Sequence, residues 1–291
     1  MQEDSMKQQD IHLRDPFVLV HDGKYYLYGS RGKTAWGHAT GFDVFVSEDL
    51  ENWSDPIACF EDDGSFWAKK HYWAPEVHPW QGAFYMFASF KGEGMCRGTA
   101  ILKSASPLGP FEPHSDRCVT PPDWECLDGT LYVDKKGKHW MVFCHEWTQV
   151  INGEICAMPL TDDLRAAAGP PRLLWRATDA PWVISSGKDQ AAYVTDGPFL
   201  WRNQEGALLC LWSSFSNQGY TQGLAKSDNG EINGNFVQLP PLDLKDAGHG
   251  MLFRDLHGQL FLTLHSPNTH PLERPLFIRM QDTGKELICQ Q

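Results

Sequence analysis

The sequence lacks any long apolar segment. No run within its 291 residues approaches the ~20 apolar residues that a membrane-spanning helix requires. The first ten residues, MQEDSMKQQD, are polar and do not contain the apolar core of a secretory signal peptide. We therefore expect no membrane partner. We also expect a cytoplasmic protein, or a secreted one if a signal peptide has been removed.

Basic residues are scarce relative to acidic ones. The chain has 25 Lys and Arg against 37 Asp and Glu, which gives a formal net charge of −12 at pH 7. Nucleic acids and anionic membranes are bound by clustered basic residues. The charge therefore argues against a nucleic-acid partner and is compatible with an uncharged ligand.

Paired cysteine motifs are absent as well. The eight cysteines are scattered without a CxxC pair, so the sequence has no zinc signature. Cys144, Cys156 and Cys210 fall inside segments that have the apolar pattern of strands. We expect buried free thiols, which are typical of a reducing compartment.

The chain does contain a fivefold repeat. Each copy has an apolar strand, a turn with glycine, and a second apolar or aromatic strand, which is the pattern of a β-hairpin. The copies occupy residues 14–28, 73–87, 127–143, 195–212 and 248–264. A third, more polar strand tends to follow.

Repeats of about 50 to 70 residues with three to four strands each suit the blades of a propeller. We therefore predict an all-β fold, a five-bladed β-propeller. We expect it to form a single catalytic domain over residues 1–291. Its blades start near residues 15, 76, 128, 196 and 249.

An ionisable residue begins the predicted inner strand of every repeat. The inner strands of a propeller surround a channel, so we expect these residues to meet at one mouth of it. An Asp in such a place often only bonds turn amides. Five ionisable residues in register favour function, because converging carboxylates raise one another's pKa as acid–base chemistry requires. The residues are Asp15, Glu76, Asp128, Asp196 and His249.

Several of the 12 tryptophans fall near these residues. Aromatic faces can stack on sugar rings by burying apolar area, and they can equally pack between blades. Trp73 is the best candidate for stacking because it lies three residues before Glu76.

Four of these motifs together resemble glycoside hydrolase family 43. They are the segments 14–16 (Arg-Asp-Pro), 73–76 (Trp-Ala-Pro-Glu), 127–130 (Leu-Asp-Gly-Thr) and 248–250 (Gly-His-Gly). The resemblance extends from about Arg14 to about Arg279. It implies a five-bladed propeller that hydrolyses arabinofuranosyl- or xylosyl-containing plant oligosaccharides and polysaccharides with inversion. The implied partner is therefore a carbohydrate substrate.

The resemblance also assigns catalytic roles. Asp15 matches the general base, and Asp128 matches the residue that orients the acid and tunes its pKa. The family's acid is normally Glu before Gly-Pro, whereas this chain has Asp196 there. Glu146, which follows the second strand of the third repeat, is the alternative acid.

The remaining candidates are placed at the substrate. We expect Arg14, Trp73, Glu76 and His249 to contact it, and Arg14 could instead form a salt bridge between blades. The family resemblance implies no required cofactor. It does imply a possible structural calcium ion, because in some members the residue matching His249 holds calcium through water.

Two other function classes compete with this hypothesis. One is a carbohydrate-binding propeller without catalysis, which the Glu-to-Asp change at Asp196 keeps open. The other is a different propeller glycosidase or a phosphorylase. Fructan-cleaving propellers usually open with Asn-Asp-Pro-Asn, unlike residues 14–17 here. A phosphorylase needs a basic cluster for phosphate, and only Arg14 and Lys188 are available.

Overall fold

A computed structural model describes residues 5–290 and places their strands in five antiparallel sheets. The predicted all-β fold, a five-bladed propeller, is confirmed. Residues 1–4 of the polar N-terminal segment and Gln291 lie outside the described residues. Within residues 5–290, no helix has the length and apolarity to cross a bilayer.

Each blade is built from consecutive strands. Blade 1 contains β1 (Met6–Lys7), β2 (Leu13–His21), β3 (Lys24–Arg31), β4 (Gly41–Ser47), β5 (Asn52–Trp53) and β6 (Ile57–Glu61), in the order β1-β5-β4-β3-β2 with β6 also paired to β4. Blade 2 contains β7 (Ala68–Trp80), β8 (Ala83–Gly92), β9 (Gly98–Ser104) and β10 (Glu112–Cys118). Blade 3 contains β11 (Cys126–Val133), β12 (His139–His145), β13 (Glu154–Pro159) and β14 (Arg172–Arg176).

The last two blades follow the same four-stranded plan. Blade 4 contains β15 (Asp196–Arg202), β16 (Leu208–Ser216), β17 (Gly219–Ser227) and β18 (Phe236–Leu239). Blade 5 contains β19 (Gly248–Arg254), β20 (Leu260–Ser266), β21 (Arg274–Asp282) and β22 (Leu287–Cys289). The short helix α1 (Trp147–Val150) and 3₁₀ turns at Gln8–Asp10 and Ala177–Asp179 connect strands.

The glycine turns make the tight hairpins that the repeat predicts. Asp22 and Gly23 have φ of 46° and 73°, and Gln81 and Gly82 have φ of 46° and 77°. Positive φ at both central residues is the signature of a type I′ turn, whose twist matches that of the flanking strands. These turns join β2 to β3 and β7 to β8.

Aromatic side chains fill the space between blades. One buried cluster contains Phe42 of blade 1 together with Tyr72 and Phe90 of blade 2. Trp175 and Trp212 lie in another cluster between blades 3 and 4. Many of the aromatic side chains therefore stabilise the contacts between blades. This is the alternative to sugar stacking that we considered for the tryptophans.

Side chains close the ring between blades 1 and 5. Within residues 5–290, no strand of one blade pairs with a strand of the other. Arg14 Nη1 instead donates to Glu273 Oε1 at 2.7 Å, and Tyr25 Oη accepts from Leu256 N at 3.0 Å. The inner strands β2, β7, β11, β15 and β19 contact one another in turn, and β19 contacts β2. Their first residues therefore surround one mouth of the channel.

Candidate active site

A β-bulge interrupts the inner strand of every blade at the same place. In blade 1 the antiparallel register shifts between Arg14 and Phe17, and corresponding shifts occur in the other blades. One residue in each bulge has a positive φ, a conformation that Gly, Asn and Asp adopt most readily. These bulge residues are Asp15 (53°), Ala74 (46°), Asp128 (55°), Gly197 (51°) and His249 (55°).

The bulge corrects the predicted alignment in blade 2. The residue equivalent to Asp15 is Ala74, and Glu76 lies two residues farther along β7. The Glu76 carboxylate accepts a hydrogen bond from the Thr130 hydroxyl and lies 3.1 Å from His78 Nε2. Glu76 is not among the residues that line the cavity described below. The structure therefore gives no support to its predicted contact with the substrate.

The bulge also corrects the alignment in blade 4. Gly197 takes the left-handed conformation there, so Asp196 is the residue before the bulge. Asp196 lies opposite Ser213, just as Arg14 lies opposite Ser30 in blade 1. Asp196 nevertheless lines the cavity.

A ring of hydrogen bonds connects the five bulges. At four junctions the bulge amide donates to a side chain on the second strand of the preceding blade. These bonds are Ala74 N to Ser30 Oγ (2.8 Å), Asp128 N to Ser89 Oγ (2.8 Å), His249 N to Ser213 Oγ (2.8 Å) and Asp15 N to His265 Nδ1 (3.2 Å). At the fifth junction Gly197 N donates to Asp128 Oδ2 at 3.0 Å. The ring of hydrogen bonds fixes the five bulge residues relative to one another.

The residue after each bulge residue also leaves no backbone amide without a hydrogen-bond partner. In blades 1, 2 and 4 it is proline, which has no amide hydrogen to satisfy. In the other two blades it is glycine, and its amide donates to a side chain of the preceding blade. These bonds are Gly129 N to Thr99 Oγ1 (3.0 Å) and Gly250 N to Gln222 Oε1 (2.7 Å). The Asp-Pro, Ala-Pro, Gly-Pro, Asp-Gly and His-Gly motifs thus have a structural cause.

A cavity of about 400 Å³ opens at this mouth. Asp15, Asp128, Asp196 and His249 line it together with Glu146. The structure therefore brings together the three predicted catalytic aspartates, the alternative acid and His249.

The Asp15 carboxylate is held in its ionised form. Its Oδ2 accepts from Ser30 Oγ at 2.6 Å, and its Oδ1 lies 3.2 Å from His249 Nδ1. Burial alone would raise its pKa, but His249 and Arg14 outweigh burial and hold the pKa well below the ordinary range. Asp15 can therefore accept a proton.

His249 carries the compensating positive charge. Its Nδ1 also lies 3.8 Å from Asp128 Oδ2. Burial opposes its protonation, yet the neighbouring carboxylates of Asp15, Asp128 and Asp196 raise its pKa to about 10. A protonated imidazole thus lies among three carboxyl groups at neutral pH.

Asp128 and Asp196 are the two carboxyl groups of the site whose pKa is raised, and together they are called the Asp128–Asp196 pair. Burial raises the pKa of both groups, and the negative charge of Asp15 adds to the rise in both. The charge of Asp196 adds further to the rise in Asp128, and the charge of Glu146 adds further to the rise in Asp196. His249 opposes the rise in both, and the Tyr220 hydroxyl, 3.0 Å from Asp196 Oδ2, opposes it in Asp196. The pair can therefore supply a proton at a pH where Asp15 is ionised.

Glu146 is less suited to donate a proton. Its Oε2 accepts hydrogen bonds from Arg97 Nη1, at 2.5 Å, and from Thr148 Oγ1, at 2.9 Å. Both Arg97 and Glu146 are buried, so this ion pair is shielded from water. A carboxylate oxygen that already accepts two hydrogen bonds is less available to a leaving group. This favours Asp196 over Glu146 as the acid.

Aromatic and cationic side chains form one wall of the cavity. Trp36 and Trp73 line it with ring centroids 5.4 Å apart. Arg14 lies 5.2 Å from the Trp36 ring, and Arg97 lies 4.4 Å from the Trp73 ring. The predicted Trp73 and Arg14 thus reach the cavity. Arg14 also makes the predicted alternative, a salt bridge between blades, with Glu273.

Sequence reasoning missed several residues that hold this site. Arg97, Tyr220 and His265 are buried on strands or loops away from the repeated inner-strand motifs. Glu273 and Asn268 both accept hydrogen bonds from Arg14. No spacing rule signals them. The one available hint was charge, because a buried Arg in an acidic chain needs a carboxylate partner.

The site does not fit a directly coordinated metal at His249. Its Nδ1 faces Asp15, and the carboxyl groups around it do not converge with it on one point. In the described part of the chain the one group of three potential ligands that converges is His12, His270 and Glu273. Glu273 is already paired with Arg14. Calcium held at His249 through water stays a prediction, and no catalytic step is assigned to it.

Comparison with known sequences identifies relatives of the chain. The sequence model described as Glycosyl hydrolases family 43 matches residues 10–284. The chain is similar to the extracellular exo-α-(1→5)-L-arabinofuranosidase ArbA of Cellvibrio japonicus (strain Ueda107), at 23% identity over 85% of this chain and 72% of that protein. A xylosidase/arabinosidase of Bacteroides ovatus is 25% identical over 42% of each chain.

A solved structure agrees with these sequences. The fold is similar to that of an endo-arabinase from Bacteroides thetaiotaomicron VPI-5482, with a TM-score of 0.89 and 39% identity. That match covers 96% of this chain and 98% of the other. The predicted resemblance is thereby confirmed over nearly the whole chain. The chain belongs to glycosyl hydrolase family 43 and is a glycosidase that acts on a carbohydrate.

Proposed function

We propose that this glycosidase hydrolyses arabinofuranosyl linkages of plant polysaccharides with inversion at the anomeric carbon. One observation carries the proposal: Asp15 and the Asp128–Asp196 pair line the same cavity, and the pKa of Asp15 is lowered while the pKa values of the pair are raised. An inverting glycosidase needs a base and an acid on opposite sides of the sugar, with room for water between them. Asp15 and Asp196 lie on blades 1 and 4, and the inner strand of blade 5 contacts the inner strands of both.

Each charged group has a step in this mechanism. Asp15 takes a proton from the water that attacks the anomeric carbon. Asp196 gives its proton to the leaving oxygen, so that bond breaks as the new bond to water oxygen forms. Asp128 shares the proton of the pair with Asp196: its pKa is raised to about 8 and that of Asp196 to about 6, so the pair titrates as a unit. Protonated His249 keeps Asp15 ionised and offsets the negative charge of the site.

Relatives support the arabinofuranosyl substrate. The ArbA protein and the Bacteroides thetaiotaomicron enzyme are named for arabinan-type activities. A xylosyl substrate is the alternative, in line with the name of the Bacteroides ovatus relative. Trp36 is exposed at the cavity and offers an apolar ring face against which a pentose can stack, whereas Trp73 already stacks on His71.

The substrate prediction is tested by product release. The enzyme is incubated with linear α-1,5-arabino-oligosaccharides, arabinan, xylo-oligosaccharides and galacto-oligosaccharides, and the products are separated by chromatography. We expect release from the arabino substrates. Release from xylo substrates alone would replace the arabinofuranosyl assignment. Binding of sugars without any release would support the carbohydrate-binding alternative.

The stereochemical prediction is tested on the same reaction. Proton NMR during the first minutes shows the anomeric configuration of the new reducing end before mutarotation. We expect the configuration opposite to that of the cleaved linkage. A retained configuration would contradict the assignment of Asp15 as a base, because retention requires a carboxylate nucleophile.

The pH dependence follows from the two kinds of carboxyl group. Activity requires Asp15 to be ionised and the Asp128–Asp196 pair to hold a proton. The pKa of Asp15 is lowered, so activity should persist well into the acidic range. The pKa of the pair is raised, so activity should fall as the pH rises through a value well above that of an ordinary aspartic acid. A profile of kcat/KM against pH measures both limbs.

The eight cysteines are free, and Cys59, Cys126, Cys144, Cys156 and Cys210 are buried. Unpaired thiols support the proposal of a reducing compartment, since disulfides form in oxidising ones. The Cellvibrio japonicus relative is by its name extracellular.

A further inference from the structure

One junction in the ring of bulge amides differs from the others. On the second strand of blade 3, Cys144 lies opposite Leu127, the position that Ser30 holds in blade 1. Blades 2 and 4 have serine at this position and blade 5 has histidine. A weak hydrogen-bonding group therefore replaces a strong one beside Asp128.

Ser30 shows what a hydroxyl does at this position. Its Oγ accepts from Ala74 N at 2.8 Å and donates to Asp15 Oδ2 at 2.6 Å. The first bond anchors the next blade. The second favours the ionised form of the carboxyl group in the same blade, because a carboxylate gains more from a donor than a neutral carboxyl does.

Cys144 makes neither bond. Within residues 5–290, no hydrogen bond joins its thiol to the Gly197 amide or the Asp128 carboxyl group, and Gly197 N donates to Asp128 Oδ2 instead. Burial, with Asp128 and Asp196 beside it, raises the pKa of the Cys144 thiol well above its ordinary value. The thiol is therefore neutral, and a neutral S–H is a weak donor.

We propose that Cys144 is a positioning residue for the reaction. By withholding a hydroxyl from Asp128, it helps the Asp128–Asp196 pair to keep the proton that passes to the leaving group. Asp15 and Asp128 occupy equivalent bulges, yet one is the base and the other supports the acid. A Ser-to-Cys difference on the neighbouring strand contributes to that division. The inference rests on the proposed roles of these aspartates.

The test is Cys144→Ser. A hydroxyl at this position donates to Asp128 as Ser30 donates to Asp15, so the pair loses its proton at lower pH. We expect the alkaline limb of kcat/KM to move down by about one pH unit, the size that one hydrogen bond to a carboxylate produces. Cys144→Ala removes the thiol without adding a donor, so its alkaline limb should stay at the wild-type pH.

A second readout needs no activity. Carbon-13 NMR of the aspartate carboxyl groups, recorded without substrate, follows the titration of the pair directly. The same downward shift is expected for Cys144→Ser. This result would stand even if the proposed glycosidase reaction failed, so the two hypotheses can be separated. The control is Cys210→Ser, which adds a buried hydroxyl in blade 4, where the Cys210 thiol donates to Leu211 O. This variant should not shift the titration of the pair.

Two outcomes would overturn the proposal. One is a wild-type titration in folded Cys144→Ser, which would mean that the hydroxyl bonds the nearby Thr195 instead. The other is an equal shift in Cys144→Ala. Where Cys144→Ser does not fold, Ser30→Cys makes the reciprocal change. Asp15 should then titrate about one unit higher, since it loses one donor, and an unchanged Asp15 would refute the idea.

Discussion

Asp15→Asn is expected to lower kcat by about 10²–10⁴-fold, the usual contribution of a positioned general base. The amide cannot accept the proton of the attacking water, and the neighbouring titratable groups are engaged elsewhere. His249 is protonated, Glu146 is paired with Arg97, and the Asp128–Asp196 pair holds a proton. The measurement is kcat on the best substrate found in the product-release panel.

The fold should survive this change. Asn has the shape of Asp and keeps an oxygen that can accept a hydrogen bond from Ser30 Oγ. The hydrogen bond to His265 Nδ1 comes from the backbone N–H of residue 15, so the substitution does not remove it. Circular dichroism and the midpoint of thermal unfolding check this. A matched control is Asp22→Asn, at the exposed turn of the same hairpin, which should leave kcat unchanged.

Added formate or azide sharpens the test. A small anion can enter the space beside the new side-chain amide and assist or replace the attacking water, so part of the lost rate should return. Azide should give a glycosyl azide of inverted configuration. A wild-type kcat in folded Asp15→Asn would show that Asp15 is not the base. The main observation behind the proposed function would then be lost.

The repeat made the fold predictable from the sequence. Alternating apolar strands and glycine turns recur at a period that only a few architectures share, and turns such as Asp22-Gly23 specify hairpins locally. Asp15, Asp128 and His249 were aligned correctly for the same reason. Each is followed by Pro or Gly, and that pair reflects the bulge and its amide bonds.

The register errors in blades 2 and 4 have a physical cause. The feature that all five blades share is a residue with a left-handed backbone conformation, and different residue types adopt this conformation in different blades. Ala74 and Gly197 hold that conformation without an ionisable side chain, so reasoning from charge selected Glu76 and Asp196 instead. Charge identified Asp196 as a cavity residue, but it misplaced Glu76, whose partners Thr130 and His78 lie on inner strands of blades 3 and 2.

Asp196→Asn should have the second large effect, and its size should depend on the leaving group. A sugar leaving group needs a proton, so kcat/KM on an oligosaccharide should fall by about 10²–10⁴-fold. A dinitrophenyl leaving group departs as a stable anion without protonation, so the rate of its hydrolysis should fall far less than that of the oligosaccharide. Asp196→Glu keeps a carboxyl group and should preserve the wild-type leaving-group dependence.

Glu146→Gln decides between the two candidate acids. If Asp196 is the acid, this variant loses only the ion pair with Arg97, and both kinds of substrate should slow by a similar factor. If Glu146 were the acid, its variant and not Asp196→Asn would spare the dinitrophenyl substrate. Equal slowing on both substrates in both variants would contradict the two assignments together, because an acid is defined by the bond that it helps to break. The comparison of two variants on two kinds of substrate thus distinguishes the loss of proton donation from the loss of substrate binding. A single variant on a single substrate would not distinguish them.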